Sequence, residues 1–384
     1  MQIYLDNSAT TRCSEAVREI VVKTMTGDYG NPSSMHTLGV EAEQYVKEAS
    51  AAIAKTLRCQ EKEIVFTSGG TESNNLAILG SAMANKRRGK HLITTGVEHP
   101  SVKNAMRFLE EQGFEVTWLP VNEYGEISTE DLKAALREDT VLVSMMMVNN
   151  EIGALEPVEA AGKLIHEKCP QTLFHVDAIQ AYGKFKIVPK RMHIDLLSVS
   201  GHKIHGPKGV GFLYIREKTK IRPISFGGDQ QKGMRSGTVN VPGIAGLGMA
   251  AREIYENFEE HTEQLYRLKE YFAGRLLTLK DVKINGRTGR DSAPHILNAS
   301  FPGVRSEVLL HALEERGIYV SAGSACSSNH PSVAGTLAAI GLDAAHQESA
   351  LRFSFNFHTT KEELDETYQA LAELLPVLRR YRRC

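Results

Sequence analysis

The sequence predicts an α/β fold in two parts, a large unit on a mostly parallel sheet and a smaller α+β unit after it. Three observations carry this. From about residue 63, short β-type runs alternate with helical patterns. One run, TVLVSMMMV (140–148), is almost continuously apolar, as a strand covered on both faces should be. Beyond about residue 280 the alternation gives way to isolated strands and helices. At 384 residues the chain also exceeds what one ordinary core serves.

The elements follow in order. EIVFT (63–67) precedes the helical pattern TESNNLAILGSAMANKRR. HLITT (91–95) leads into PSVKNAMRFLEEQG, where Pro100 suits a helix start and Gly113 a helix end. EVTWL (115–119) precedes STEDLKAALRE, with Ser128 and Asp131 at capping-box spacing. TLFHV (172–176), DLLSVS (195–200) and GVGFLYI (209–215) complete the strand series. After VPGIAG (241–246) one long amphipathic helix is expected to reach about 280 and connect the two units, with the boundary near 260. VKIN, ILNASF and LRFSF then read as strands, and 305–316 and 360–381 as helices.

Bulk properties narrow the function classes. The 42% hydrophobic and 24% charged content is that of a globular protein with a sizeable core. A formal charge of -1 gives no general attraction to nucleic acid or membranes. Cys13, Cys59, Cys169, Cys326 and Cys384 are odd in number, far apart and form no CxxC pair, so neither a disulfide framework nor a zinc site is expected. A reducing cytoplasm is the expected setting. The opening MQIYLDNSATTRC lacks a secretory signal pattern, and no apolar run approaches the ~20 residues of a membrane span.

In open α/β sheets, ligands bind beyond the carboxyl ends of the strands. Five strands here end in polar clusters: Ser68-Gly69-Gly70-Thr71-Glu72, Glu98-His99-Pro100, Asn149-Asn150-Glu151, Asp177-Ala178-Ile179-Gln180 and Gly201-His202-Lys203. Five on one edge point to one cofactor site. The Ser68–Thr71 stretch suits a phosphate, because glycines let backbone N–H groups approach an anion; locally, a plain glycine turn reads as well. Ser200 and His202 could add donors to that phosphate. Lys203 follows a buried-type strand, where a lysine is costly unless it has a task, and a Schiff base with pyridoxal phosphate is such a task. Lys208 takes the bland surface role. Asp177 ends an apolar strand and needs a charged partner; a protonated pyridine nitrogen fits, although an N-cap would also use Asp. Gln180 could reach the ring hydroxyl, and His99 could lie over the ring.

These residues sit in a recognisable pattern. YLDNSATT (4–11), GNPSSMH (30–36), TSGGTESNN, EHPSV, VNNEIG, HVDAIQ, SGHKIHGPKG, GMRSGT (233–238), SAGSACSS and LRFS resemble the cysteine desulfurases, in the NifS/IscS-like branch of the class V aminotransferases. The match runs from about residue 3 to 375, with motifs in the family's order. The resemblance implies the fold type I architecture of pyridoxal enzymes. It divides the chain into a large unit, 13–260, and a small one, 1–12 with 261–384, carrying a mobile cysteine loop at about 321–332.

The resemblance also implies roles. Lys203 would form the Schiff base, Asp177 would pair with the pyridine nitrogen, Gln180 would bond the ring hydroxyl, and His99 would stack on the ring. Gly70, Thr71, Ser200 and His202 would hold the phosphate. Thr238 would reach the phosphate of the other subunit, implying a homodimer. Asn150 would lie beside cofactor and substrate, and Arg352 would clamp the substrate carboxylate. L-Cysteine would lose its sulfur to the thiolate of Cys326, leaving a persulfide and L-alanine. His99 would shuttle protons, and Lys203 would be the base at Cα. No metal is expected in the resting enzyme beyond Cys326 acting toward a transferred iron–sulfur cluster.

The sequence departs from the family after Arg352, where SFNFHTT replaces a Leu-Gly-Arg-type run, and at its short end RRYRRC. An iron–sulfur scaffold or a tRNA-thiolation enzyme would be the sulfur acceptor. The rival activities are those of a selenocysteine lyase or another class V aminotransferase or lyase. A non-catalytic protein of the same fold would have no use for Lys203, Asp177, His99, Arg352 and Cys326 together.

Overall fold

A computed structural model describes residues 2–322 and 335–381 of the chain. Cys326, the loop read at 321–332 beyond Ala322, and Cys384 lie outside the described residues.

In chain order, the first part comprises β1 (Ile3–Tyr4), α1 (Glu15–Thr26), α2 (Thr37–Leu57), β2 (Ile64–Thr67), α3 (Gly70–Asn85), β3 (His91–Thr95), α4 (Pro100–Glu111), β4 (Glu115–Leu119), α5 (Thr129–Ala135), β5 (Thr140–Met146), α6 (Val158–Lys168), β6 (Leu173–Asp177), β7 (Leu196–Ser200) and β8 (Gly211–Ile215). Then follow α7 (Val241–Glu256), α8 (Phe258–Leu276), β9 (Lys283–Asn285), β10 (Ile296–Ser300), α9 (Ser306–Glu314), β11 (Ile318–Tyr319), β12 (Ser321–Ala322), α10 (Thr336–Ala339), α11 (Ala344–Glu348), β13 (Ala350–Ser354) and α12 (Lys361–Leu378).

The main sheet has seven strands in the order β2-β8-β7-β6-β5-β3-β4. The pairs β3/β4, β3/β5, β5/β6 and β6/β7 are parallel, while β8 runs antiparallel to both β2 and β7. Every residue of β5 is buried, as its apolar run requires for a strand with helices on both faces. Because β2 and β7 both oppose β8, they share one direction with β3, β5 and β6. Their five carboxyl ends therefore meet at one edge.

A second sheet, β12-β13-β10-β9, belongs to the C-terminal part. Its apolar core gathers Phe272, Phe301, Phe353 and Leu371 together with Ile3 and Leu5 from the start of the chain. β1 pairs in parallel with β11, and Asp6 bridges Ser354.

Three readings need correction. The single long helix expected to reach about 280 is two, broken at Asn257, whose φ of -114° and ψ of 39° leave the helix. Asn257 takes the N-cap position of α8 without a side-chain cap bond, and Glu259 and Glu260 make an acidic first turn, which suits a helix start. Helices α1 and α2 precede the first expected element; Ser14 caps α1 by accepting from the Val17 N–H. Ser128 does cap α5, but through the Glu130 N–H rather than with Asp131 in a capping box. Among the described residues, no helix is long and apolar enough to cross a membrane.

Candidate active site

The five strand ends open on a cavity of about 430 Å³. Gly70, Thr71, His99, Asn150, Asp177, Gln180, Ser200, His202, Lys203 and Arg352 all line it. Thr238 does not; it is exposed elsewhere on this chain. A larger groove of about 980 Å³, running past Cys13 and His358, holds none of the expected residues. Size therefore does not identify the site; the convergence of polar groups does.

One end of the cavity is built by the start of α3. Its N-cap, Gly69, has φ +144°, a conformation that favours glycine, and offers no side-chain cap. The first N–H groups of the helix are thus left without a side-chain acceptor. A side chain at Gly70 would need its neighbours to shift: a Cβ there would lie 2.2 Å from Ile179 Cδ1. The Ser68 N–H is already committed, donating to the Glu72 carboxylate across 2.6 Å, and Arg235 in turn holds Glu72 at 2.8 Å. Ser200 and His202 close this end. Burial, with Lys203 and Lys208 adding to it, pushes the His202 imidazole down to about 4, so it is neutral near pH 7.

The Asp177 carboxylate lies at the end of β6, 4% exposed. Burial pushes its pKa up; opposing this are the Ile179 N–H at 3.0 Å, nearby His99, the Asn74 amide at 2.8 Å and nearby Lys203. Asn74 also donates to Ser101 Oγ across 2.9 Å, and Ser101 Oγ lies 2.8 Å from His99 Nδ1. The Ser101 N–H donates to that same Nδ1 across 3.1 Å, so His99 caps α4. A backbone N–H can only donate, which leaves Nδ1 unprotonated and puts the ring proton on Nε2. His99 is open to the cavity but crowded by protein atoms. That crowding lowers its pKa; Asp177 opposes the change, and Lys203 and Lys103 add to it. Beneath it, Glu98 ties β3 to β5, accepting from Thr95 Oγ1 at 2.9 Å and the Met146 N–H at 2.7 Å. Burial raises the Glu98 pKa well above the carboxylate range.

Lys203 donates to the backbone carbonyls of Ser8 and, across 2.7 Å, of Ala9. Its own carbonyl accepts from the buried Lys184 ammonium at 2.7 Å. Gln180 Nε2 donates to Ser8 O at 3.0 Å. The N-terminal segment therefore closes the cavity over the lysine. Arg352 donates to Asp6 Oδ1 and to the Asn150 carbonyl, each across 2.8 Å, and its Nε is buried without a partner among the described residues. Glu151 stands beside it, accepting from Thr336 Oγ1 at 3.0 Å.

Asn74, Ser101, Asp6 and Lys184 are not singled out by the sequence. Three of them stand inside the quoted motifs, but nothing in composition or spacing marks such a polar residue as a partner of a distant strand end.

The arrangement can hold an anion at a helix start, a cationic ring atom at Asp177 and a carboxylate at Arg352, with an amine between them. The sequence model of the aminotransferase class-V family matches residues 3–367. A Bacillus subtilis protein named as a putative cysteine desulfurase IscS 1 is 43% identical over 378 residues, which span 97% of this chain and 98% of that protein. A Methanosarcina thermophila protein named cysteine desulfurase IscS is 42% identical, over 98% of this chain and 93% of its own length. Among solved structures, a NifS-like protein superimposes with a TM-score of 0.93 at 37% identity, covering 98% of this chain and 100% of its own. SspA in complex with cysteine gives 0.81 at 35% identity, covering 94% of this chain and all of its own.

Proposed function

The chain belongs to the aminotransferase class-V family, and we infer that it is a cysteine desulfurase that takes sulfur from L-cysteine and leaves L-alanine. The observation that carries this reading is one cavity lined by Lys203, Asp177, His99 and Arg352. Those residues fit pyridoxal phosphate: an uncapped helix start for its phosphate, a buried carboxylate for its ring nitrogen and a lysine for its aldehyde. Bound there, that cofactor supplies an electron sink for the substrate's Cα.

The chain's own groups would do the rest. Lys203 would hold the cofactor through its aldehyde, and its free amine would take the Cα proton on Nζ. Asp177 keeps the ring nitrogen protonated, and Gln180 bonds the ring hydroxyl. Gly70, Thr71, Ser200 and His202 hold the phosphate. His99, with its proton on Nε2, would move protons at that nitrogen. Arg352 grips the substrate carboxylate beside Asn150, in an orientation that Asp6 fixes.

The sulfur step is assigned to Cys326. Ala322 lines the cavity, and four residues of extended chain reach at most ~14 Å from it. The Cys326 thiolate attacks the substrate sulfur. An S–S bond forms as the Cβ–S bond breaks, the Cβ–S electron pair stays on carbon, and a proton taken up there completes the methyl of alanine. The persulfide then passes to an acceptor, an iron–sulfur scaffold or a tRNA-thiolation enzyme.

We place this enzyme in the cytoplasm as a homodimer in which Thr238 reaches the partner's phosphate site. Residues 13–260 form the cofactor-binding unit, and 1–12 with 261–384 the second. The test is to supply purified protein with pyridoxal phosphate, L-cysteine and a thiol reductant. Sulfide and alanine should appear in equal amounts. A protein that binds no pyridoxal phosphate refutes the reading at its first step.

A further inference from the structure

We propose that Asn74 is a positioning residue that couples the carboxylate of Asp177 to the imidazole of His99; the proposal rests on the pyridoxal reading above. Asn74 is fully buried on α3, and both hydrogens of its one amide nitrogen are used. One goes to Asp177 Oδ2 at 2.8 Å, the other to Ser101 Oγ at 2.9 Å. Its own Oδ1 is buried without a partner among the described residues.

Each bond constrains the next. A carboxylate only accepts, so the nitrogen end of Asn74 must face Asp177. That same nitrogen then donates to Ser101 Oγ, so the hydroxyl hydrogen is free to point at His99 Nδ1, 2.8 Å away. Nδ1 already accepts the Ser101 N–H. Two donors on Nδ1 hold the imidazole proton on Nε2. The amide thereby reinforces the tautomer that the Ser101 N–H sets on His99, through the Ser101 hydroxyl, and supports the charge of Asp177.

The Asp177 branch has a second consequence. Burial favours the neutral acid there, and the Asn74 bond is one of the contacts that oppose it. Without that bond, the carboxylate in the cofactor-free protein shifts toward its protonated form and loses its hold on a cationic ring nitrogen. A buried structural amide that merely joined α3 to β6 would have neither effect.

The experiment compares wild type with N74A, N74S, S101A and the N74A/S101A double variant, each loaded with pyridoxal phosphate. The readouts are cofactor affinity, the pH midpoint of the bound-cofactor absorbance, and kcat and KM for L-cysteine. S101A should lower kcat with affinity unchanged. N74A should lower kcat and also weaken cofactor binding about tenfold, with the absorbance midpoint moved by about one pH unit. The double variant should be no slower than N74A alone, because both act on His99 through one hydroxyl. Should N74A fail to fold, N74S supplies one donor and should lose one of the two effects. Affinity and absorbance midpoint both unchanged in a folded N74A, affinity, midpoint and kcat all unchanged in N74S, or kcat losses that multiply in the double variant, overturn the proposal. A wild-type chain that takes up no pyridoxal phosphate overturns the reading of the site and this proposal with it. A wild-type chain that takes it up beside an insensitive N74A overturns this proposal alone.

Discussion

Asp6 and Arg352 stand 2.8 Å apart although 346 positions separate them, and their contact fixes the guanidinium over the cavity. One end of the fork holds Asp6, another the Asn150 carbonyl, and the buried Nε has no partner among the described residues. Arg352→Lys keeps the charge but loses the fork. KM for L-cysteine should rise roughly 10- to 100-fold, with a smaller change in kcat. Asp6→Ala should move KM in the same direction by releasing the guanidinium. Steady-state kinetics of the two variants checks both.

Asp177→Asn keeps the shape and the Asn74 and Ile179 neighbours but removes the negative charge. Cofactor should still attach to Lys203, while kcat falls roughly 10- to 100-fold, the scale of one lost charge-assisted bond. Absorbance of the bound cofactor beside sulfide release separates attachment from turnover. Unchanged turnover would remove Asp177 from the mechanism.

Gly70→Ala places a Cβ 2.2 Å from Ile179 Cδ1. Either the start of α3 or Ile179 must shift, an overpacking that costs about 1–3 kcal/mol. Cofactor affinity should fall, and Ile179→Ala in the same chain should restore much of it. Equilibrium binding of pyridoxal phosphate to the single and double variants is the check.

Which parts of this site could be read from the chain follows from its geometry. Parallel strands end on one edge, so Asp177, His99 and Lys203 announce themselves as polar residues that break apolar runs. Asn74 and Ser101 lie inside helical patterns, where nothing distinguishes an inward polar residue from an outward one. Asp6 belongs to a segment whose partner, Arg352, is reached only when the chain returns at β13. The break at Asn257 was legible in principle as a cap before two glutamates, but the apolar periodicity on both sides masked it.

Glu156 gives a pH prediction away from the chemistry. It is 5% exposed, accepts the Ile127 N–H at 3.0 Å, and burial pushes its pKa up to about 8. Between the ordinary glutamate range near ~4.3 and that value, the folded chain holds a proton that the unfolded chain has lost. Stability should therefore fall as pH rises through this window, by about 1.4 kcal/mol per pH unit from this group. Glu156→Gln is neutral in both states and should remove that slope. Denaturant unfolding at pH 5.5 and pH 7.5, values chosen inside the window, compares the two proteins; equal slopes would contradict the assignment.

The most direct test of the central claim is mass spectrometry of the peptide containing Cys326 after one pulse of L-cysteine to the cofactor-loaded protein, without reductant. The account predicts one added sulfur atom on Cys326 for each alanine released, and neither product from Cys326→Ala, although that variant keeps its cofactor absorbance. Alanine formed at the wild-type rate by Cys326→Ala, or alanine from wild type with no sulfur on Cys326, would contradict it.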